Sequence, residues 1–560
     1  MVYDAVVIGS GISGGWAAKE LSENGLKTLV LERGRKVEHI TDYTTAWKDS
    51  WDFDLKGRPT PEANKTQFKQ ARTGYTTQPH RAEWFVNDIE HPYNEEKRFD
   101  WLRGYHTGGR SISWGRQSYR IGDLDFEANK KENIGVDWPV RYADIKPWYD
   151  KVEKYIGVSG QNEGIAQIPD GELLTPMNLN AVERDLQSKM STWDQYYMLT
   201  IGRTAHITDN TPFKGRSKCQ YRNRCSAGCP FGAYFSSLSS TLPAALETGN
   251  CEIRNNSIVH SLIYDDDKKR AIGVNIIDAE TTKKSQIYAR IIFLCASSMA
   301  STSILMNTRS ERFPTGLGND SGELGHNIMD HHLGIGAYAE VEGFKDIYYK
   351  GRRANGFYIP RFRNMDEKTA SDKFVRGYGF QGSASRHDWK RNIRELSIGE
   401  PLKEKLVTPG SWRIGMMAFG EILPDHDNHM KLDYNKLDKW GIPTITFSAE
   451  LKKNELAMRE DMKVKAKEIF VRAGYKNVGT YENSYGVGLG IHEMGTARMG
   501  RDPKTSVLNA YNQVHEVQNV FVTDGAFMTS AACQNPSLTY MAFTARAANH
   551  AAKLFKENKL

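Results

Sequence analysis

The N-terminal segment YDAVVIGSGISGGWAAKELSENGLKTLVLER restricts the fold more than any other stretch of the chain. An apolar run at residues 5–8 is typical of a buried strand, and Gly9, Gly11 and Gly14 then fit the spacing G-x-G-x-x-G at the start of a helix. The glycines allow a tight turn, a close approach of backbone to a pyrophosphate, and contact between helix and strand. A second apolar strand ends at Glu32, whose carboxylate can accept hydrogen bonds from a ribose diol. The segment therefore predicts a Rossmann-type unit for NAD or FAD, between which the fingerprint does not choose. The predicted cofactor-binding residues here are Gly9, Gly11, Ile12, Ser13, Gly14, Glu32 and Arg33.

Length and charge limit the classes of protein to which the chain can belong. A chain of 560 residues is too long for one simple core, so we expect two domains or one domain with large insertions. The 75 basic and 68 acidic residues are mixed along the chain without a basic block, which argues against nucleic acid as the main partner. No apolar run reaches the roughly 18 residues of a membrane helix, and we expect no direct membrane span. The N-terminus lacks the basic and apolar regions of a signal peptide, so we expect no export signal in the chain itself.

Four further stretches carry a family resemblance. They are GYHTGGRSISWGRQSYR (104–120), IIFLCASSMASTSILMNT (291–308), GELGHNIMDHH (322–332) and the block 492–552, which begins HEMGTARMG. Together with the N-terminal fingerprint they resemble the glucose–methanol–choline (GMC) oxidoreductases, FAD enzymes that oxidise alcohols and sugars. The resemblance extends over nearly the whole chain in the family's order. It implies an α/β fold with a Rossmann-type FAD-binding domain and a discontinuous α+β substrate-binding domain, an architecture like that of p-hydroxybenzoate hydroxylase.

The resemblance also implies residues that contact FAD outside the N-terminal segment. The 524–525 turn is expected at the pyrophosphate and ribityl chain, and the backbone at 535–536 beside the flavin ring. The second glycine turn is expected along the other edge of the ring. Ser113 stands where some sugar-oxidising relatives carry a histidine that is bonded to the flavin, so we expect non-covalent FAD. The implied contacts are Gly108, Gly109, Ser113, Trp114, Gly115, Asp524, Gly525, Asn535 and Pro536.

Two polar residues of the C-terminal block are predicted to be catalytic. Oxidation of an alcohol removes a proton from oxygen and a hydride from carbon, and neutral imidazole, with a pKa of about 6.5, suits the first task. His492 in IHEMGTARMG matches the family's base, and Asn535 in CQNPSLTY matches its partner. We predict that this pair holds the reacting hydroxyl. His331 and His332 are interpreted as structural, and His106 as a weaker candidate for a substrate contact.

The same resemblance divides the chain into discontinuous parts. The FAD-binding domain is predicted at 1–40, 100–160, 200–335 and 485–560, the excursions that cover it at 41–100 and 161–199, and the substrate-binding domain at 336–484. Within the last domain, WRIGMMAFGEILP and ITFSAEL predict strands, KKNELAMREDMKVKAKEIFVRAGY predicts a helix, and LPDHDNHMKLDYNKLDKWGIP a turn-rich joint. The segments GRRANGFYIPRF and GSASRHDWKRN are expected to face a sugar.

Three of the six cysteines lie close together in KCQYRNRCSAGCPFG, which we call the cysteine loop (residues 218–232). The residues alone leave four interpretations open: a disulfide with one thiol left over, a zinc site with a poor fourth ligand, unrelated thiols, or an iron–sulfur cluster. Some bacterial GMC sugar dehydrogenases carry cysteines of this spacing that bind a [3Fe–4S] cluster. The resemblance implies such a cluster on Cys219, Cys225 and Cys229, although Gln220 stands where those relatives can have a further cysteine.

The combined motifs predict an FAD and iron–sulfur sugar dehydrogenase. Within that branch the chain most resembles glucoside 3-dehydrogenases, which oxidise the ring hydroxyl at carbon 3 of glucose and glucosides. The expected route is hydride transfer to flavin N5 and electron transfer through the cluster to a cytochrome c acceptor. Alternatives are a glucose 1-, gluconate 2- or fructose 5-dehydrogenase, an oxygen-using oxidase with a structural metal, or a scaffold protein with a degenerate flavin fold. Such subunits often cross the inner membrane with a small partner that carries the export signal, so a periplasmic location is expected, with the cytoplasm as the alternative.

Overall fold

The computed structural model describes residues 2–194, 196–210, 212–345, 347, 355–386, 398–407 and 410–560. The strands are β1 (Val2–Ile8), β2 (Thr28–Leu31), β3 (Asn94–Glu95), β4 (Thr200–Ile201), β5 (Cys251–Arg254), β6 (Ser257–Asp265), β7 (Arg270–Asp278), β8 (Lys284–Leu294), β9 (Ile335–Val341), β10 (Phe357–Ile359), β11 (Tyr378–Arg386), β12 (Trp412–Gly420), β13 (His429–Leu437), β14 (Pro443–Ser448), β15 (Lys476–Glu482), β16 (Gln513–Val514) and β17 (Val517–Val522). The α-helices are α1 (Ile12–Glu23), α2 (Pro61–Thr66), α3 (Asp123–Phe126), α4 (Ala128–Glu132), α5 (Tyr142–Ile156), α6 (Ala181–Met190), α7 (Thr241–Glu247), α8 (Ser298–Asn307), α9 (Gly399–Val407), α10 (Lys453–Arg472) and α11 (Ser537–Lys556).

The first sheet has eight strands and a parallel centre. Its order is β16-β17-β8-β1-β2-β5, and β6 and β7 attach as an antiparallel extension of β8. Strand β1 pairs in parallel with both β2 and β8, for example Val6 with Leu29 and with Ile292. The predicted strand, glycine turn, helix and second strand at the N-terminus are therefore confirmed, as are the strand and helix predicted at 291–308. Helices α1 and α11 pack together against this sheet, so the long C-terminal helix belongs to the N-terminal unit.

The second sheet is antiparallel and has two faces of different character. Its order is β15-β9-β12-β11-β10-β4. On β11, Tyr378, Phe380 and Ala384 belong to an apolar core that also contains residues of α6 and α10. Because successive strand side chains point to opposite faces, Gln381 and Ser383 lie on the other face. The helices thus cover one face of the sheet, and the other face is left to line a cavity.

A third, three-stranded sheet corrects one prediction. The strands predicted in WRIGMMAFGEILP and ITFSAEL are confirmed as β12 and β14, and the predicted helix as α10. The segment predicted as a turn-rich joint instead contains the nine-residue strand β13, which pairs with β14, and β14 pairs with β3. The prediction was wrong because turn-forming residues on both sides of β13 outweighed the short alternation of Met430 and Leu432 with Lys431 and Asp433.

In the part of the chain that the structure describes, every helix is too short or too polar to cross a bilayer.

Candidate active site

A cavity of about 1860 Å³ runs through the molecule with walls from both large sheets. Ile8 at the end of β1 and Ser383 on β11 both line it. Most residues predicted to bind the cofactor or to act in catalysis also line this central cavity. They are Gly9, Gly11, Ile12, Ser13, Glu32, Arg33, Gly109, Ser113, Trp114, Gly115, His492, Asp524, Gly525 and Asn535. The structure therefore brings together residues that are more than 500 positions apart in the sequence.

Three predicted cofactor residues lie behind the cavity wall and shape it. A Cβ on Gly14 would lie 1.9 Å from the carbonyl oxygen of Gly9, so only glycine allows α1 this close to the first turn. Gly108 donates its backbone N–H to Ser10 Oγ at 3.0 Å, which joins the two glycine turns. Pro536 is the residue from which α11 starts. These three act through the backbone that they position.

Glu32 lines the cavity, and its carboxylate is already held by neighbouring donors. It accepts hydrogen bonds from the backbone N–H of Ser10 at 3.1 Å, from Ser10 Oγ, and from the backbone N–H of Gly34 at 2.9 Å. Burial raises the pKa of this carboxyl, and those hydrogen bonds oppose the rise. The side chain is thus fixed at the end of β2 in the place predicted for a ribose contact.

The loop that carries His492 is held by one buried carboxylate. Asp330 accepts hydrogen bonds from the backbone N–H groups of Gly488, Gly490 and His492 at 2.8, 2.8 and 3.0 Å. A Cβ on Gly490 would lie 2.1 Å from the carbonyl oxygen of His331, so the loop and the 330–332 segment are in direct backbone contact. Ile491 has φ of 64°, which is unfavourable for a β-branched residue and costs on the order of 1–3 kcal/mol. This unfavourable backbone conformation precedes His492, whose side chain lines the cavity.

His492 makes two side-chain contacts with polar partners. Its Nδ1 lies 2.9 Å from Nδ1 of His331, and its Nε2 lies 3.4 Å from Nδ2 of Asn535. Burial holds the pKa of His492 well below 6.5, and electrostatic interactions with His331 and Arg110 lower it further. The imidazole is therefore neutral at ordinary pH and able to accept a proton. The structure confirms that the two predicted catalytic residues are neighbours, and their catalytic role stays a prediction.

The structure changes the interpretation of three other histidines. The sequence predicts structural roles for His331 and His332, and His332 is fully buried beside Arg459. His331 instead contacts His492 directly. His106, the weaker candidate for a substrate contact, is buried against Trp84 with ring centroids 5.3 Å apart and does not line the cavity. That interpretation of His106 was wrong because its place in a glycine turn says nothing about the direction of its side chain.

Sequence reasoning missed two further contacts in this region. Gln381 on β11 donates its amide N–H to Oδ1 of Asn535 at 2.5 Å. Arg110 makes two hydrogen bonds, of 3.1 and 2.7 Å, to the carboxylate of Glu493, the residue after His492. The ion pair could have been suspected from the sequence, because Glu493 follows the motif histidine and Arg110 lies in the second glycine turn. No signal existed for Gln381, since the strand pairing that brings it to Asn535 is not encoded locally.

The cysteine loop reaches the same cavity. Cys225 lines the cavity together with Arg222 and Arg224, and its Sγ lies 3.9 Å from Nε2 of the buried His206. All six cysteines of the chain are free thiols, which argues against the disulfide interpretation. In the described part of the chain, no group of three or more His, Cys, Asp or Glu residues is arranged to hold a metal ion. The loop is left as a group of thiols at the cavity wall.

Parts of the two predicted sugar-facing segments lie outside the described residues, namely 351–354 and 387–392. The described remainder includes Asn355, Gly356, Ser383, Ser385 and Arg386, all of which line the central cavity.

Comparisons with known proteins identify the family. Two family models, both described as GMC oxidoreductase, match residues 199–333 and 424–544. The fructose dehydrogenase large subunit of Gluconobacter japonicus is 25% identical over 558 residues, which cover 98% of this chain and 97% of that protein. The 2-methyl-1,2-propanediol dehydrogenase of Mycolicibacterium austroafricanum is 26% identical over 588 residues, which cover 99% and 96%. The chain belongs to the GMC oxidoreductase family.

A solved structure supports the fold of this GMC oxidoreductase. The crystal structure of pyridoxine 4-oxidase from Mesorbium loti matches with a TM-score of 0.60 at 15% identity and covers 99% of both chains. The predicted α/β fold class is confirmed. The family assignment makes this protein an enzyme that acts on CH–OH donors and implies FAD as its cofactor.

The central cavity of this GMC oxidoreductase fits FAD. A Cβ added to Gly11 would meet no atom of the protein within 4 Å, so the first glycine turn faces open space at the N-terminus of α1. Helix N-termini favour the negative charge of a pyrophosphate. The cavity then runs from Glu32 past Trp114 to His492, which are the positions expected at the ribose, the flavin edge and the reacting centre. When bound, FAD supplies the acceptor for the hydride that leaves the alcohol carbon.

Proposed function

We propose that this enzyme is a sugar dehydrogenase that oxidises a secondary ring hydroxyl of glucose or a glucoside to a ketone. The resemblance to glucoside 3-dehydrogenases favours the hydroxyl at carbon 3. The gluconate 2-, glucose 1- and fructose 5-dehydrogenase activities are the competing substrate choices, and each makes a different demand on the pocket beside the catalytic pair.

The observation that carries the proposal is the uncharged lining of a hollow next to that pair. The hollow, of about 350 Å³, lies on the open face of the second sheet, and Gln381 in its wall contacts Asn535. None of the described residues that line it is charged: Gln117, Ala337, Tyr338, Asn355, Gly356, Gln381, Gly382, Ser383, Gly415, Met416, Met417 and Tyr481. Amides and hydroxyls suit neutral sugar hydroxyls, whereas a substrate carboxylate is usually met by Arg or Lys. The hollow therefore suits a neutral sugar, and the choice against gluconate is left to the substrate panel because Arg110, Arg116 and Arg386 line the central cavity that the pair itself lines.

The chain's own residues would hold the substrate hydroxyl and receive its proton. His492 is neutral because burial depresses its pKa, so its imidazole can accept the hydroxyl proton. Asn535 lies beside Nε2 of His492 and can hydrogen-bond the same oxygen without competing for the proton. Together the two side chains would fix the alcohol carbon in one orientation.

A panel of substrates tests this choice. The enzyme is mixed without oxygen with methyl glucoside, glucose, fructose or gluconate, and the loss of flavin absorbance is followed by stopped flow. We expect loss of absorbance with methyl glucoside and glucose, and a product with a ketone at carbon 3 by NMR. Reaction with gluconate or fructose alone would overturn the proposal, as would rapid peroxide formation in air with no other acceptor.

We further propose that the cysteine loop holds a [3Fe–4S] cluster that carries electrons away from the flavin. Two buried arginines beside the loop support the presence of an anionic group there. Arg116 Nε and Arg216 Nη1 are buried and have no hydrogen-bond partner among the described residues. Burial raises the pKa of Cys219 to about 11, and the nearby Arg116 opposes that rise. Burial lowers the pKa of Arg216, and the nearby Cys229 opposes that fall. Unpaired buried donors are costly, and an anionic cluster on the thiolates would relieve that cost.

Iron analysis of cysteine variants tests the cluster. We expect protein purified without air to contain iron and labile sulfide, and Cys225→Ser and Cys229→Ser to lose both. Cys251→Ser, at a buried position on β5 outside the loop, is the matched control and should keep them. Full iron and sulfide in the loop variants, or zinc in place of iron, would contradict the assignment.

The partner and the compartment follow from the same proposal. One relative is named as a large subunit, which supports a multi-subunit enzyme here as well. We propose a small subunit that carries the export signal, a cytochrome c acceptor and a periplasmic location. Fractionation of cells with and without a co-expressed small subunit would test this, because the enzyme should reach the periplasm only with the partner. Equal cytoplasmic activity in both would support the alternative.

A further inference from the structure

The side chains around His492 and Asn535 form one continuous hydrogen-bonded chain. It runs from the carbonyl oxygens of Ala531 and Ala532 through His331 to His492, on to Asn535, and ends at Gln381. Each contact in this chain needs one donor and one acceptor. The direction of each hydrogen bond can therefore be worked out step by step from the carbonyl end of the chain.

The first end fixes the tautomer of His331. Its Nε2 lies 2.9 Å from the carbonyl oxygen of Ala532 and 3.3 Å from that of Ala531. Carbonyl oxygens only accept, so Nε2 carries the hydrogen. His331 is fully buried, and burial lowers its pKa to about 4, so the ring is neutral and carries only this one hydrogen. Its Nδ1 is consequently an acceptor.

The tautomer of His331 then fixes that of His492. The two Nδ1 atoms are 2.9 Å apart, and because His331 Nδ1 has no hydrogen, His492 Nδ1 must donate. A neutral His492 that carries its hydrogen on Nδ1 leaves the lone pair on Nε2, the nitrogen that faces Asn535. The charged groups near His492 have other partners. Arg110 pairs with Glu493, and Asp330 accepts hydrogen bonds from the backbone of the loop.

The lone pair on Nε2 of His492 fixes the orientation of Asn535, because Nδ2, which can donate, must be the atom that faces it. The reverse orientation would direct Oδ1 at the lone pair of His492 Nε2, and two acceptors repel each other. With Nδ2 of Asn535 on the side of His492, its Oδ1 is the atom that accepts from Gln381, at 2.5 Å.

We propose that His331 and Gln381 are positioning residues that set the hydrogen-bond polarity of the catalytic pair. When the substrate binds, its hydroxyl replaces the long 3.4 Å contact of Asn535 at Nε2 of His492, so that Nε2 becomes the acceptor and the released N–H of Asn535 Nδ2 becomes the donor. An alcohol hydroxyl has one hydrogen to donate and a lone pair to accept, so it matches both. The proton of the hydroxyl passes to His492 Nε2 while the oxygen keeps the hydrogen bond from Asn535. Reversal of either positioning contact would turn the acceptor or the donor away from the hydroxyl.

Substitutions at His331 separate polarity from packing. His331→Asn keeps a side-chain oxygen that can accept from His492 Nδ1, whereas His331→Leu has similar bulk but no acceptor. We expect His331→Leu to lower kcat about 100-fold with little change in KM, and His331→Asn to stay within about 10-fold of wild type, because a wrong tautomer disables the base. Both holoenzymes should retain FAD and a similar thermal midpoint. Equal losses of kcat in the two variants would overturn the proposal.

Direct observation of the tautomer guards against misfolded variants. In holoenzyme with ¹⁵N-labelled histidine, the His492 signals, identified by their loss in His492→Gln, should show a protonated Nδ1 and an unprotonated Nε2. His331→Leu should shift this balance toward the other tautomer. A wild-type spectrum with the hydrogen on Nε2 would refute the assignment whatever the kinetics show.

The role of Gln381 is tested by a substitution that keeps the shape of the side chain but replaces its hydrogen-bond donor with an acceptor. Gln381→Glu is nearly isosteric, but its carboxylate can only accept, so Asn535 is expected to turn its Oδ1 toward His492. We expect Gln381→Glu to lower kcat/KM at least 10-fold more than Gln381→Leu, which removes the contact without reversing it. A role in packing alone predicts the opposite order, and that order would overturn the proposal for Gln381.

Discussion

The imidazole of His492 lies where a positive charge is poorly tolerated. Burial lowers its pKa first, and His331 and Arg110 lower it further. The carboxylate nearest in sequence, Glu493, is already paired with Arg110 and does not offset this effect. At the scale of single residues, the site is therefore built to keep one nitrogen basic and uncharged.

The first residue-scale prediction concerns the loss of that nitrogen. His492→Gln should lower the rate of flavin reduction at saturating substrate by about 10²–10⁴-fold, the usual contribution of a positioned base. Anaerobic stopped flow measures the rate, and flavin absorbance confirms that FAD is retained. His426→Gln, at an exposed histidine outside the cavity wall, is the control and should react at the wild-type rate. An unchanged rate in His492→Gln would remove His492 from the mechanism.

The second residue-scale prediction concerns pH. If His492 is the base, as predicted, its neutral form is the active one, and activity is lost as pH falls through its pKa in the free enzyme. Because burial lowers that pKa, kcat/KM should stay level from pH 8 to below 6.5 and fall only at more acidic pH. The pH profile of kcat/KM with an uncharged sugar measures this. Burial raises the pKa of Asp330, which holds the His492 loop, to about 7, so an acid limb centred at or above pH 6.5 that is also present in Asp330→Asn would show that the imidazole is not depressed.

At the scale of elements, glycines with different surroundings have different tasks. Gly11 faces open space, whereas Gly14 is pressed against the carbonyl group of Gly9. The first leaves room for a ligand, and the second lets helix α1 approach strand β1. The same local motif thus serves binding at one position and packing at the other.

These two glycines give a paired prediction. Gly11→Ala should leave the thermal midpoint of the FAD-free protein nearly unchanged but lower its FAD affinity, since the added methyl group enters the groove. Gly14→Ala should lower the midpoint of the FAD-free protein itself, because its Cβ would lie 1.9 Å from Gly9 O. Thermal unfolding and flavin titration of both variants measure these effects. Full FAD affinity in Gly11→Ala would contradict the placement of the pyrophosphate.

Another element-scale prediction concerns a buried ion pair on helix α5. Glu153 accepts two hydrogen bonds from Arg120, at 2.9 and 2.5 Å, and both side chains are fully buried. Glu153→Gln removes the fully buried carboxylate while Asp150 still pairs with Arg120 at 2.6 Å, so the expected cost is about 1.5–3 kcal/mol. The exposed pair Lys439–Glu90 provides the control, and Glu90→Gln should cost less than about 1 kcal/mol. Equal thermal midpoints for the two variants would be inconsistent with this difference in burial.

At the scale of the whole molecule, the central cavity lies between the two large sheets. This is also where the cofactor is expected to bind. Ile8 and Glu32 line it from the first sheet, and Ser383 from the second. A ligand that fills this space binds the folded protein and not the unfolded chain. Stability should therefore depend on the concentration of the cofactor.

This gives a prediction on cofactor removal. Free FAD at 100 times its dissociation constant should stabilise the folded enzyme by about 2.7 kcal/mol relative to the FAD-free protein. Thermal unfolding at increasing FAD measures the effect, and the midpoint should rise with each increment of FAD. AMP, which lacks the flavin, serves as the control and should give a smaller rise. A midpoint that does not respond to FAD would contradict binding in the cavity.

Local patterns in the sequence determined much of the fold and half of the site. The glycine spacing at 9–14 predicted a strand, a turn and a helix because those conformations are restricted by sterics within a few residues. The periodicity of 453–472 likewise predicted a helix. His492 and Asn535 were found from their motifs. Strand β13 was missed because turn-forming residues flank its short apolar alternation.

Only the tertiary structure decided how the catalytic pair is held. His331 and His492 are 161 positions apart, and Gln381 and Asn535 are 154 apart. Their contacts depend on the register of β11 in the second sheet and on the loop that Asp330 holds. Sequence periodicity reports which face a side chain occupies, but it contains no information on which distant strand or loop that face meets. The chemical identity of the base is therefore written in the sequence, whereas the direction of its hydrogen bonds is set by long-range packing.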